Sequence, residues 1–376
     1  MGKHLVLVGG GHAHLTTLLK LKTLVDRGHR VTLVSPSPFH YYSGMGPGLL
    51  AGTFAPAETR FHIRRMAETR GATFIQDQVR ELAPGQRRLI LASGAALDYD
   101  LASFNIGSAI SLEPGLDASR VIAVKPIENL YQARQDILAR RRENPRLVVL
   151  GGGAAGVEIA GNLWRLLNTH QADGHITLVA GGGLLPALPR RAQELARRSL
   201  EQRGIEIIEG DAATACSATE VCLAGGRCLP CDLILAATGV RPPALFGRAG
   251  LEVGEEGGLA VNECLQSTSD PCIFGGGDCI HFSAAPLARV GVHAVRQNPV
   301  LWRNLRAALE GRELLEYRPQ KKFLLILNLG DGTGIAVRGP FTGNGTGALH
   351  LKTWIDRRFM RRFQVSDEVR EAAQTL

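Results

Sequence analysis

The chain has 376 residues, and its 45% hydrophobic and 21% charged residues are typical of a globular protein with two or three domains. The net charge of +8 suits an anionic ligand or membrane surface, and without a nucleic-acid-binding motif we expect no nucleic-acid partner. Seven cysteines and an N-terminus without signal-like character predict free thiols and a cytoplasmic protein. No apolar run approaches the roughly 20 residues of a spanning helix. Any membrane contact would therefore be peripheral, on the inner face.

The first nucleotide-binding pattern starts at the N-terminus. A strand, a glycine turn, a helix and a second strand follow one another at residues 4–8, 9–11, 15–25 and 30–34. In such a unit the glycines let a pyrophosphate approach the helix N-terminus. His14 stands where a third glycine is usual, and we predict that it lies between helix and sheet. Ser35 stands where an acid usually binds a ribose. Its hydroxyl can also hydrogen-bond to a ribose, but more weakly because it carries no charge.

Two further segments could approach the same ligand. Residues 36–54 are rich in glycine, proline and aromatic residues, which indicates either a loop with a short helix over the ligand or a plain connection. A buried strand at 100–107 ends in Gly107, where the backbone could also come close.

A second and complete pattern begins at residue 146. It has a strand, the glycines Gly151, Gly153 and Gly156, a helix to residue 167 and a closing strand at 176–179. Ala180 and three glycines follow that strand, with neither an acid for a ribose nor an arginine for a 2′-phosphate. We therefore expect weak binding of a nicotinamide cofactor, or little preference between NADH and NADPH.

A late Gly-Asp turn gives these patterns their meaning. The apolar run 272–274 leads into three glycines and Asp278. A third ligand-facing turn after two nucleotide folds suggests a flavoprotein that takes electrons from a second nucleotide. Cys228 and Cys231 have the spacing of a redox or zinc pair, but the proline between them and the following strand argue against that chemistry. Cys279, beside Asp278, stays a candidate thiol near the flavin.

The C-terminal segment 354–363 combines apolar and basic residues. On a helical wheel Ile355, Phe359, Met360 and Phe363 share one side, with arginines on the other. This predicts either a helix docked on the core or an interfacial helix whose arginines meet anionic headgroups.

Together these motifs resemble the two-dinucleotide-domain FAD oxidoreductases of the pyridine nucleotide-disulfide reductase superfamily. Segments 151–162, 238–239, 275–278 and 294–297 resemble type II NADH:quinone oxidoreductases. Segments 9–14, 36–52 and 355–360 are closer to a subgroup sometimes fused to selenide, water dikinase.

The resemblance implies an α/β fold with two Rossmann-like three-layer dinucleotide-binding domains of the glutathione reductase type and a small C-terminal α+β region. The FAD-binding domain would be discontinuous, with an inserted NAD(P)-binding domain and a C-terminal region carrying the basic terminal helix. The expected boundaries, in that order, are 1–115 with 266–318, 116–265 and 319–376.

The resemblance also implies the site residues. FAD is expected at Gly9, Gly11, His12, Ser35, Val79, Gly107, Gly277 and Asp278. The nicotinamide cofactor, NADH or NADPH, is expected at Gly151, Gly153, Gly156 and Gly239. Glu158 would lie near the contact of nicotinamide and flavin, and Gln297 on the acceptor side. No metal site is expected.

The predicted function is transfer of electrons from NADH or NADPH through FAD to a quinone-like or other small acceptor, with peripheral membrane contact through residues 353–363. The absence of a cysteine pair after the first glycine turn argues against disulfide reduction. A sulfide:quinone oxidoreductase using Cys279 is the alternative enzyme. A flavin-binding partner or regulatory module without turnover is the alternative of another class.

Overall fold

The computed structural model describes residues 2–140, 143–320, 322–366 and 368. Numbered in chain order, the strands are β1 His4–Val8, β2 Arg30–Ser35, β3 His40–Tyr41, β4 Arg60–Phe61, β5 Thr73–Gln76, β6 Val79–Ala83, β7 Arg88–Leu91, β8 Ala96–Asp98, β9 Leu101–Phe104, β10 Ala109–Ile110, β11 Val121–Ala123, β12 Arg146–Leu150, β13 His175–Ala180, β14 Glu206–Glu209, β15 Ala213–Cys216, β16 Glu220–Leu223, β17 Cys228–Pro230, β18 Leu233–Ala236, β19 Val240–Arg241, β20 Leu259–Val261, β21 Ile273–Gly275, β22 Ile280–Phe282, β23 Leu325–Asn328, β24 Gly334–Arg338 and β25 Phe341–Gly345. The helices are α1 Leu15–Leu19, α2 Leu21–Val25, α3 Gly46–Leu50, α4 Ile63–Glu68, α5 Glu128–Ala139, α6 Ala154–Thr169, α7 Arg190–Glu201, α8 Leu245–Arg248, α9 Gly291–Glu310 and α10 Thr346–Phe363.

Two parallel sheets form the centre of the molecule. The first has the strand order β21-β9-β1-β2-β5 and the second the order β11-β18-β12-β13-β14. Their central strands β1 and β12 are apolar and almost completely buried, as parallel strands covered on both faces are. Each sheet brings its glycine turn to the edge where its strands end. The predicted α/β class with two Rossmann-like domains is confirmed.

The packing refines the predicted domain boundaries, which remain a proposal. β21 lies in the first sheet although it follows the whole second sheet along the chain, as an inserted second unit requires. The buried apolar side chains of residues 245–265 belong to the core around the first sheet. We therefore propose that the inserted unit ends at about residue 243 rather than at residue 265.

The C-terminal region contacts both cores. Leu327 and Ile335 of the antiparallel sheet β23-β24-β25 join the core of the second sheet, whereas Met360 and Phe363 of α10 join that of the first. The helix α10 begins at Thr346, well before the predicted start at residue 354. Of the predicted region 319–376, residues 321, 367 and 369–376 lie outside the described residues.

The small antiparallel sheet β15-β16-β17 corrects the expectation for the cysteines. Cys222 and Cys228 face each other on neighbouring strands and form a disulfide. The prediction of free thiols is therefore wrong for these two residues, because the hairpin brings their sulfur atoms together. Cys231 instead lies in a buried apolar cluster, where burial raises the pKa of its thiol to about 11. Cys228 is thus bonded to Cys222 and not to Cys231.

Candidate functional site

A cleft of about 760 Å³ opens where the strands of the first sheet end. This volume is typical of cofactor sites. All the residues predicted to bind FAD line this cleft, namely Gly9, Gly11, His12, Ser35, Val79, Gly107, Gly277 and Asp278. They come from distant segments of the chain and meet because parallel strands end at a common edge. Their individual roles stay predictions.

Asn105, directly after β9, joins the first glycine turn to the Gly-Asp turn. Its Oδ1 accepts a hydrogen bond of 3.0 Å from the Ala13 amide, and its Nδ2 donates to the Gly276 carbonyl oxygen. Gly9 has a φ of +81°, and a Cβ there would collide with the Asn105 carbonyl oxygen. Glycine is therefore required at position 9 both by its backbone conformation and by the approach of the segment after β9.

His12 and His14 lie at the same turn but in different surroundings. His14 is fully buried, with Nδ1 2.6 Å from the Gly9 carbonyl oxygen and Nε2 2.8 Å from Ser103 Oγ. Its predicted place between helix and sheet is confirmed. His12 lines the cleft, and its buried Nε2 has no hydrogen-bond partner among the described residues. Burial lowers the pKa of both imidazoles to about 4, so both are neutral at pH 7.

The Gly-Asp turn is held from two sides. Asp278 Oδ2 accepts hydrogen bonds from Lys125 Nζ over 2.8 Å and from Ser108 Oγ over 3.0 Å. On the other side, Gln297 of α9 accepts at Oε1 from the Gly277 amide over 2.7 Å. The Gln297 Nε2 atom is buried without a partner among the described residues. Gln297 thus supports the turn through its side-chain oxygen.

The second glycine turn lies between β12 and α6, where the strands of the second sheet end. Gly151 has a φ of +115°, and a Cβ on Gly156 would collide with the Gly151 carbonyl oxygen. Gly153 caps the N-terminus of α6 and Gly239 follows β18, and a Cβ at either position would meet open space. The unpaired amides at the start of α6 therefore face an open site that suits a pyrophosphate.

Glu158, in the first turns of α6, faces the C-terminal region. Its Oε1 accepts a hydrogen bond of 2.8 Å from the Asn328 amide. Burial raises the pKa of its carboxyl to about 7, although the charge of Lys352 and the Asn328 amide act in the opposite direction. Lys352 donates to Asp356 Oδ2 over 2.9 Å, and the Tyr42 hydroxyl donates to Asp356 Oδ1 over 3.0 Å. Glu158 therefore belongs to a partly buried polar cluster with Lys352 and Asp356, in which burial favours the protonated carboxyl.

A comparison with protein families decides the assignment, because residues 3–304 match the family described as pyridine nucleotide-disulphide oxidoreductase. The chain belongs to this family. The type II NADH:quinone oxidoreductase of Haemophilus influenzae is 26% identical over 74% of this chain and 73% of its own length. The demethylphylloquinone reductase NdbB of Synechocystis is 26% identical over 89% and 88%. The structure of NDH2 from Plasmodium falciparum, solved with NADH, has a TM-score of 0.78 at 14% identity and 98% coverage of both chains, which shows a shared fold.

Pyridine nucleotide-disulphide oxidoreductases use FAD and a nicotinamide nucleotide, and the cleft of this chain fits FAD. The buried Nε2 atom of His12 has no hydrogen-bond partner among the described residues, and a cofactor in the cleft can supply one. Gly9 and Gly11 line the cleft and have no side chains, so a cofactor can approach their backbone closely. The donors Lys125 and Ser108 lie beside the Asp278 carboxylate in the same wall.

The structure places the candidate thiol of Cys279 in the core and not in the wall of the cleft. It is fully buried, with Sγ 3.4 Å from the Gly276 carbonyl oxygen and 3.6 Å from that of Phe104. Burial raises the pKa of the thiol to about 12, so the nucleophilic thiolate is not formed near neutral pH. The turn that carries Asp278 toward the cleft directs the next side chain into the core.

The residues of the site that were not predicted include Asn105, Ser108, Tyr42, Lys125, Lys352 and Asp356. Tyr42 belongs to the aromatic segment 36–54, which was predicted either to cover the ligand or to be a plain connection, and the first alternative could have singled it out. Lys352 and Asp356 are four residues apart, a spacing that predicts an ion pair on one helix face. Nothing near Lys125 in the sequence points to Asp278, because their contact spans two separate segments of the fold.

The terminal helix α10 is docked, but not with the whole predicted side. Phe359 lies against the rings of His12 and Tyr42, with ring centroids 5.9 and 4.9 Å away. Ile355, which was predicted on the same side, is exposed, and Leu351 and Trp354 are exposed beside it. None of the described helices is long and apolar enough to cross a membrane.

Proposed function

We propose that this protein passes electrons from a reduced nicotinamide nucleotide through FAD to a quinone-like or other small acceptor, as type II NADH:quinone oxidoreductases do. When bound, FAD supplies the two-electron chemistry of hydride acceptance and acceptor reduction. The names of the two relatives described above support a quinone as acceptor. Membership of the subgroup sometimes fused to selenide, water dikinase remains a proposal that depends on segments 9–14, 36–52 and 355–360.

One observation carries the proposal: no cysteine is among the described residues that line the cleft. Disulfide reductases and sulfide oxidoreductases exchange electrons between the flavin and protein thiols. Cys279, the candidate for such a thiol, is buried in the core. We infer that electrons leave the flavin to a diffusible acceptor. In the sulfide:quinone alternative, the Cys279 side chain would have to leave the core to reach the flavin.

We propose that the acceptor binds next to Gln297. This side chain, together with Gly277 and Asp278, lines a second cavity of about 480 Å³ on the other side of the Gly-Asp turn. The free Nε2 of Gln297 is a donor that a quinone carbonyl oxygen can accept from. Gln297→Leu should raise the KM for a quinone several-fold and leave flavin reduction by the nucleotide unchanged. An unchanged KM would remove Gln297 from the acceptor site.

Glu158 is proposed to hold a proton where the nicotinamide, the flavin and the C-terminal region meet. The reaction of NADH with a quinone takes up one proton in addition to the hydride, and a group with a pKa of about 7 is suited to exchanging that proton with the flavin. The positive charge of Lys352, which is paired with Asp356, partly compensates the Glu158 carboxylate when the proton leaves.

The proposed function is tested by the visible spectrum of the FAD-loaded protein under anaerobic conditions. NADH, NADPH and sulfide are added in separate experiments, and a quinone follows. We expect a nicotinamide nucleotide to bleach the flavin band and the quinone to restore it. Bleaching by sulfide alone would favour the sulfide oxidoreductase. No bleaching would favour a flavin-binding module without turnover.

We also propose that the protein is cytoplasmic and contacts the inner face of a membrane through α10. Leu351, Trp354 and Ile355 are 42%, 55% and 37% exposed on one side of this helix. Next to them, the Arg358 guanidinium lies 5.6 Å from the Trp354 ring centroid, and Arg361 is exposed as well. Apolar side chains flanked by arginines suit the boundary between acyl chains and anionic headgroups.

A further inference from the structure

The second nucleotide site has an acidic residue that is displaced by one strand. In dinucleotide folds the acid that binds the adenosine ribose usually ends the second strand of the unit. Here that strand, β13, ends in Ala180, which has no polar side chain. In the register of the parallel sheet, Ala180 pairs with Glu209, the last residue of β14. Because neighbouring strands lie about 5 Å apart, Glu209 starts only one strand spacing from the usual position.

Hydrogen bonds turn the Glu209 side chain toward the loop that follows β13. Glu209 Oε1 accepts a hydrogen bond of 2.8 Å from the Leu184 amide. One residue further, the Leu185 amide donates to the Gly152 carbonyl oxygen over 2.7 Å. The carboxylate is thus connected through this loop to the glycine turn at the start of α6. The same loop carries the bare residues Gly182 and Gly183, where a Cβ would meet almost no neighbouring atoms.

The charge of Glu209 is stabilised by Arg197 of α7. The two side chains form an ion pair, and both remain about one-third exposed. This arginine and the Leu184 amide lower the pKa of the Glu209 carboxyl, so it is ionised at neutral pH. Arg197 also lies 3.6 Å from Glu201 on its own helix. A carboxylate with free acceptor sites therefore borders the loop between β13 and α7.

We propose that Glu209 replaces the missing acid of β13 and makes the second site selective for NADH over NADPH. A carboxylate accepts hydrogen bonds from the ribose hydroxyls of NADH, whereas it repels the 2′-phosphate of NADPH. This inference rests on the proposed function and replaces the expectation of little preference. That expectation considered only the residues directly after β13.

The test is isothermal titration calorimetry of the oxidised, FAD-loaded protein with NAD⁺ and with NADP⁺, which measures binding without turnover. We expect the wild type to bind NAD⁺ at least about tenfold more tightly than NADP⁺. Glu209→Gln should reduce this ratio by about tenfold, largely because NADP⁺ binds more tightly. Glu209→Asp keeps the charge and should retain the preference.

Two further variants separate specificity from loop stability. Glu201→Gln removes the other carboxylate that lies beside Arg197 and should leave the ratio of NAD⁺ to NADP⁺ affinity unchanged. In Glu209→Gln, the released Arg197 can attract the 2′-phosphate, so the gain in NADP⁺ binding should be lost in R197Q/E209Q. If Glu209→Gln weakens both nucleotides equally, Glu209 only holds the loop and the inference is wrong.

The inference and the proposed function can fail separately. A wild type without preference for NAD⁺, or an unchanged ratio in Glu209→Gln, would overturn the inference even if NADH bleached the flavin. Selective binding of NAD⁺ without bleaching of the flavin by NADH would overturn the proposed function and leave the inference standing. Binding of neither nucleotide would overturn both.

Discussion

The two glycine turns follow the same strand–turn–helix pattern but are completed in different ways. At the first turn, Asn105 and His14 hydrogen-bond to the backbone, and Phe359 of α10 stacks on His12. At the second turn, Gly156 packs against the Gly151 carbonyl group, and the space in front of the start of α6 is open. The first turn, residues 9–14, is covered by other side chains and is called the closed wall below. The second turn, residues 151–156, is open in front of α6 and is called the open ledge. This difference suits a cofactor that stays bound and a nucleotide that is exchanged in every turnover.

The largest effect is expected from Gly9→Ala in the closed wall. The new Cβ would force a positive φ on alanine and collide with the Asn105 carbonyl oxygen, at a cost of about 1–3 kcal/mol. We expect the purified variant to lose its flavin absorbance and to unfold at a lower temperature. Gly153→Ala is the control, because its φ is not positive and its Cβ meets open space. Full FAD occupancy in Gly9→Ala would contradict the description of the first turn.

At the open ledge, Gly156→Ala should separate the two sites. A Cβ at this position would push α6 away from the Gly151 carbonyl group and disturb the nucleotide site, while the FAD cleft belongs to the other sheet. The variant should keep FAD but need at least about tenfold more nicotinamide nucleotide for half-maximal flavin reduction. Stopped-flow reduction at increasing nucleotide concentration measures this. Equal loss of FAD and nucleotide would show that the two sites are not independent.

Glu158→Gln tests the partly buried cluster behind the open ledge. Because the protonated carboxyl is available below its pKa of about 7, wild-type quinone reduction should fall as the pH rises through 7. Glutamine cannot titrate, so this break should disappear and the rate at pH 6 should drop about tenfold. Flavin oxidation by a quinone between pH 5.5 and 8.5 measures it, with Glu201→Gln as surface control. A break that persists in Glu158→Gln belongs to another group.

The same carboxyl predicts how stability depends on pH. Its folded pKa lies above the ordinary value of 4.5, so folding favours the protonated form. The wild type should therefore lose stability as the pH rises from about 4.5 to 7, relative to Glu158→Gln. Thermal unfolding of both proteins across this range compares them. Parallel curves would mean that Glu158 titrates normally.

The smallest effect concerns the outer face of α10, the helix that contacts both halves of the molecule. Trp354→Ser removes an exposed apolar side chain and should lower binding to anionic phospholipid vesicles a few-fold without changing FAD content. Vesicle flotation measures the bound fraction. Tyr131→Ser is the control, because Tyr131 is exposed on α5. Equal flotation of both variants and the wild type would remove α10 from the membrane proposal.

Local sequence patterns predicted the structural features that are determined by residues close together in the chain. The strands, glycine turns and helix starts of both nucleotide folds follow from runs of apolar residues and glycine spacing, and the residues expected at FAD all line the cleft. The place of His14 followed from its replacement of a packing glycine. These features are encoded within about 30 residues, which is the length of one βαβ unit.

The features that the sequence did not predict arise from contacts between distant segments. Lys125 meets Asp278, and Glu209 meets the loop after Ala180, only because strands from separate segments align in register. The disulfide of Cys222 depends on the pairing of a hairpin that the patterns did not reveal. The orientation of Cys279 depends on the local turn geometry, which a sequence motif does not define.

The position of β21 in the first sheet has a consequence for synthesis of the protein. All strands of the second sheet lie between residues 121 and 236 and leave the ribosome as one uninterrupted stretch. The first sheet is complete only when residues 273–275 have been made. The hydrogen bond between Asn105 and Gly276, which joins two turns of the cleft, also forms only then. We therefore expect the inserted nucleotide fold to form first during translation, although the other half begins the chain. We expect FAD to bind only after residues 273–275, at about three-quarters of the polypeptide, have been made.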